Sequence, residues 1–130
     1  GDKSTPVGIF KLGTLYYRSD KVSKPKTKLK FKKIKKYMGW CNDPSNKKYN
    51  KEIILSKNIK SEKLYRKDYK YNYFILIKYN YTKVIPNFGS AIFIHLTKNY
   101  KPTVGCIGLL EKDFKIMLKL INQKTKIKIG

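Results

Sequence analysis

What fold the chain can adopt turns on Tyr71 to Leu96, YNYFILIKYNYTKVIPNFGSAIFIHL. Its two apolar runs, Tyr73 to Ile77 and Ala91 to Leu96, have the length of strands and are rich in aromatic and β-branched residues. Tyr71 to Tyr79 reads as a strand buried on both sides, because its apolar run is continuous rather than alternating. Asn80 to Gly89 reads as a loop around Pro86-Asn87. Ser90 to Leu96 reads as a second strand, whose period of two sets Ala91, Phe93 and His95 on one face. His95 is the chain's only histidine. It stands at the strand's end, where a side chain reaches both core and loop.

Upstream, GDKSTPVGIFKLG places a turn at Thr5-Pro6-Val7-Gly8 and starts a strand with Ile9, Phe10 and Leu12. Lys21 to Lys36 is dense in lysine, yet Leu29 and Phe31 alternate with it. That pattern argues for a half-exposed strand rather than a disordered tail. Met38 to Asn50 reads as a loop, with a turn at Asp43-Pro44-Ser45-Asn46. A short helix is expected within Ile53 to Tyr65. Downstream, Phe114, Met117, Leu118 and Ile121 recur at helical spacing and predict a helix over Glu111 to Ile121. Its first turn carries Glu111 and Asp113, which suit the helix dipole. Thr125, Ile127 and Ile129 alternate with lysines in a terminal strand. The expected fold is mainly β with one or two helices, without internal repeats. A chain of 130 residues suits a single domain over 1–130.

The charge balance is extreme, with 31 basic against 8 acidic residues and a net charge of +23. Such a surface attracts polyanions. Arg18 and Arg66 are the only arginines, so 29 of the bases are lysines. Base reading and bidentate phosphate recognition favour arginine, so no specific nucleic-acid site is expected. Lysine, asparagine, isoleucine and tyrosine share AT-rich codons, so much of the charge is a generic solvated surface. No apolar run reaches the roughly 18 residues of a membrane-spanning helix. Two cysteines do not build a disulfide scaffold, and one histidine without a CxxC does not build a zinc site, so no metal and no cofactor is expected.

Eleven positions beyond His95, Gly105-Cys106 closes the segment TKNYKPTVGC. A thiol there, between a glycine turn and the approach to the helix, could be exposed with backbone N–H groups pointing at the same point in space. A thiolate is the nucleophile, and a nearby imidazole or helix N-terminus lowers a cysteine's pKa. The residues alone leave two readings open: a Cys/His pair, or a core histidine and a core cysteine.

GDKSTPVG at the start, Trp-x-x-Asp-Pro…Tyr-Asn over Trp40 to Asn50, GSAIFIHL, and Thr103-Val104-Gly105-Cys106 followed by IGL resemble, in this order, the catalytic domain of YkuD-type L,D-transpeptidases. The resemblance implies a small β-sandwich or barrel-like sheet with the helix after Cys106 packed on it. It implies Cys106 as nucleophile and His95 as base, with a backbone carbonyl holding the imidazole. Gly105 and the Cys106 N–H are the oxyanion candidates, Thr103 matches the family's Ser/Thr, and Ser90 is a candidate for the shell around the histidine. The sequence departs from many members at Val104, where they carry His, and at Gly108, where they carry Arg. Carboxylate recognition is therefore open. Arg66 is a candidate for it, beside the plainer reading of a surface ion pair with Asp68.

The implied partners are peptidoglycan stem peptides, joined by an acyl-thioester route. L,D-carboxypeptidase action on the same stems, and a non-catalytic module binding an anionic cell-wall polymer, are the alternatives. The implied location is the periplasm or cell envelope. The chain starts at Gly1-Asp2 inside the first motif, without a signal peptide or initiator Met, so an N-terminally truncated or excised piece is expected. Trp40 and Cys41 are expected to be structural, and both thiols free.

Overall fold

The computed structural model describes residues 8–79, 92–99 and 106–129. Its main sheet runs in the order β2 (Phe31–Lys33), β1 (Gly8–Tyr17), β6 (Tyr73–Ile77), β7 (Ile92–Leu96) and β8 (Ile107–Leu109), with β9 (Lys126–Ile129) on β1. The first half of β1 pairs with β9 and the second half with β2 and β6. A second sheet has three strands in the order β4 (Glu52–Ile54), β3 (Met38–Cys41) and β5 (Ser61–Lys63). Helix α1 (Glu111–Leu120) follows β8. The mainly β fold with a single helix among the described residues matches the class read from the sequence.

Both faces of the main sheet are covered, and the strands show it residue by residue. Tyr73, Ile75 and Ile77 of β6 and Ile92, Ile94 and Leu96 of β7 join Phe114, Leu118 and Ile121 in one apolar cluster. Phe74, Leu76 and Phe93, from the alternate positions, join Met38 and Trp40 of the small sheet in a second cluster. The continuous apolar run YFILI thus has no solvent face to mark with polar residues. Aromatic rings dominate the second cluster. Phe74 lies 4.6 Å from Phe93, and Trp40 meets Phe93 edge-on at 5.4 Å. Such pairs contribute about 0.5–1.5 kcal/mol beyond area burial.

Two expectations are corrected. Met38 to Asn50 is not all loop, because Met38–Cys41 is a fully buried strand. Ile53 to Tyr65 holds no helix but the two edge strands β4 and β5. Their three-residue lengths are too short for a period-two signal. The lysine-rich segment is ordered, though its strand is confined to the exposed β2, and Leu29 is buried ahead of it. Trp40 is a packing residue, as expected, and its indole N–H donates to Asn50 Oδ1 at 3.0 Å. Asn50 is fully buried at a positive φ of 61°, and its backbone N–H donates to the Cys41 carbonyl at 2.8 Å. Cys41 is fully buried, and both cysteines are free thiols. The loop read at Asn80 to Gly89, and Ala91 with it, lie outside the described residues.

Candidate active site

Alternation along β7 decides where His95 goes. Ile94 and Leu96 turn toward α1, so Phe93 and His95 turn toward the small sheet. There the imidazole lies 6.0 Å from the Tyr71 ring, centroid to centroid, and is almost fully buried. Its Nδ1 stands 2.8 Å from the Leu96 carbonyl. A carbonyl only accepts, so the proton sits on Nδ1 and the lone pair on Nε2. The bond therefore fixes both the tautomer and the ring's orientation.

Cys106 reaches the same side by a different route. β7 and β8 run parallel, with Ile94 opposite Ile107 and His95 opposite Gly108. Half-buried Cys106, one residue before β8, packs against the aromatic cluster that holds Phe93 and Tyr71. Gly108 is a point of close approach. A Cβ there would stand 3.5 Å from Cε1 of His95 and 3.1 Å from Cβ of Thr97. Position 108 is thus immediately beside the imidazole.

Burial is the largest influence on both groups. It pushes the Cys106 thiol up, which a backbone hydrogen bond at Phe93 partly offsets and the charge of Glu62 reinforces. For His95 burial lowers the pKa. The Leu96 hydrogen bond opposes this, while Lys70 and Arg66 lower it further and Glu62 raises it. The pair therefore rests as neutral thiol and neutral imidazole. The helix that could have lowered the thiol pKa begins at Glu111, with β8 between it and Cys106.

Arg66 is half-buried, with its guanidinium 5.0 Å over the Tyr71 ring and a 2.5 Å ion pair to Asp68. The plain reading of that ion pair is found, in a place that also faces the histidine's surroundings. Arg66's backbone is pinned as well: its carbonyl accepts from Nη1 of buried Arg18 at 2.5 Å. Arg18 is in turn held by Asp20 at 2.7 Å and lies over the Tyr65 ring. Thr103, Gly105 and Ser90 lie outside the described residues.

Reading the residues missed Glu62. Its carboxylate accepts a short hydrogen bond from the Tyr71 hydroxyl. Glu62 fell in the stretch read as a helix, and one acid among lysines carried no motif to lift it out.

The family model of YkuD, the L,D-transpeptidase catalytic domain, matches residues 1–129. The chain belongs to this family, whose members are L,D-transpeptidase-type enzymes acting on cell-wall peptidoglycan. No curated protein and no solved structure matches the chain.

Proposed function

We propose that this chain, as one catalytic domain, is a peptidoglycan L,D-transpeptidase of the cell envelope in which Cys106 is the nucleophile and His95 the base. The observation that carries the reading is the Nδ1–H bond from His95 to the Leu96 carbonyl, which leaves Nε2 free of its proton on the thiol's side of the sheet. With both groups neutral at rest, attack is general-base catalysed rather than carried out by a standing thiolate. Nε2 takes the thiol proton as Sγ adds to the carbonyl of the third residue of a stem peptide. The N–H groups of Gly105 and Cys106 are the candidates to hold the oxyanion.

Collapse breaks the peptide bond. The imidazolium returns its proton to the leaving amine, and D-alanine departs from an acyl-thioester on Cys106. The amine of a second stem then adds to the thioester carbonyl, the thiolate leaves and is reprotonated, and a three-to-three cross-link results. Water in place of the amine gives a tripeptide. Arg66 is the candidate for a substrate carboxylate, since its guanidinium is already ordered by Tyr71 and Asp68.

Intact-protein mass spectrometry during incubation with a disaccharide-tetrapeptide tests this. An adduct on Cys106 with release of D-alanine, followed by dimers, is expected. Tripeptides alone would make the enzyme a carboxypeptidase. A folded protein giving neither adduct nor product would overturn the reading in favour of a binding module.

A further inference from the structure

Carboxylates are scarce here, and most that are described are spoken for. Asp20 pairs with Arg18, Glu52 with Lys32, Asp68 with Arg66 and Glu111 with Lys115. Glu62 is in no such ion pair among the described residues, in a chain carrying 31 basic ones. It accepts instead from the neutral Tyr71 hydroxyl, and it remains half-buried rather than turned out to solvent. The nearby cation, Arg66, feels the charge of Glu62 but gives its own hydrogen bonds to Asp68.

The place of this charge is specific. β5 pairs with β3 so that Glu62 stands opposite Trp40, on the edge of the small sheet that overlies Phe93. Tyr71, which holds Glu62, has its ring against Phe74, Phe93 and His95. Orienting His95 is not the role of Glu62, since the Leu96 carbonyl already does that. In the free enzyme Glu62 is a cost, because an anion near Cys106 opposes formation of a thiolate. A cation arriving with the donor substrate removes that cost before the thiol reacts.

We propose that Glu62, held by the Tyr71 hydroxyl, is the ammonium-recognition group of this site and takes the free side-chain amine that a diamino acid at the third position of the donor stem carries. The inference rests on the transpeptidase reading of Cys106 and His95. Specificity follows from its chemistry. A charge-assisted hydrogen bond to an ammonium is strong, and the same pocket rejects a stem whose amine is blocked or absent.

The test compares acylation of Cys106 by two disaccharide-tetrapeptides, one with the diamino-acid amine free and one with it acetylated. Rates are read as adduct formation and D-alanine release. The wild-type protein is expected to prefer the free amine by about ten- to a hundredfold, the worth of one hydrogen bond to a charged group. In Glu62→Gln that preference is expected to fall toward unity while the acetylated stem still acylates. Tyr71→Phe, which frees the carboxylate to wander, is expected to keep only part of the preference. Equal rates for the two stems in the wild type would overturn the assignment, whether or not the variants fold. So would an undiminished preference in Glu62→Gln. Failure of both stems to acylate the wild type is a different result, which removes the transpeptidase reading and this inference with it.

Discussion

At the scale of single residues, the two candidate groups, Cys106 and His95, are set by burial more than by any other influence. Cys106→Ser and His95→Ala are expected to lower turnover about a thousandfold or more, with far-UV circular dichroism unchanged. The pH behaviour follows from the directions of the two shifts. With the thiol raised, alkylation of free Cys106 by iodoacetamide should climb at a pH above the ordinary cysteine value of about 8.5. With His95 lowered, the base stays unprotonated below the ordinary histidine value of about 6.5, so activity should persist into mild acid. Stability moves in the matching sense. Below about pH 6.5 the unfolded chain binds a proton that folded His95 resists, so stability should fall as pH drops from there toward the depressed folded value, then level off. Urea midpoints at a series of pH values check the sign, and a midpoint that rose on acidification over that window would contradict it. His95 and Cys106 stood out as candidates through the motifs that resemble the family, since the residues alone also left a core histidine and a core cysteine open. Glu62 was not legible, because what singles it out is its hydrogen bond from the Tyr71 hydroxyl beside His95, which only packing decides.

At the scale of elements, α1 contributes one face and leaves the other to water. Phe114 is fully buried under β6 and β7, with its ring stacked 5.8 Å from Tyr73, whereas Ile116 is 56% exposed. Phe114→Ala is therefore expected to cost about 3–5 kcal/mol. Ile116→Ala should stay within about 0.5 kcal/mol. Denaturant midpoints of the two variants separate these outcomes, and similar losses would mean that the helix packs otherwise. The helix was readable because ten residues give its 3.6-residue period room to repeat. β4 and β5, at three residues each, did not. The buried β3 was hidden for another reason: Met38-Gly39-Trp40-Cys41 is short and precedes a strong turn signal, and only its two partner strands make it a strand.

At the scale of the whole molecule, the +23 charge is distributed over a surface that includes the α1 side of the main sheet. Lys24, Lys26, Lys115 and Lys119 surround a cavity of about 180 Å³ there, on the face of the sheet opposite His95. If the protein rests on an anionic wall, a basic back would leave the candidate site's face unobstructed. Retention on purified sacculi should weaken steeply between about 50 and 200 mM salt if counterion release drives it. Flat retention across that range would count against electrostatic attachment. By itself the sequence determined the mainly β class, the helix, the family motifs and the two candidate residues, His95 and Cys106. These are properties of local period, turn chemistry and rare residue types, all carried within a few neighbours along the chain. The tertiary structure alone decided which carbonyl holds His95, that burial raises the thiol's pKa and lowers the imidazole's, and that Glu62, Tyr71 and Arg66 gather beside them. Those outcomes depend on burial and on which strands and loops stack in space, and no local pattern encodes a distance through space.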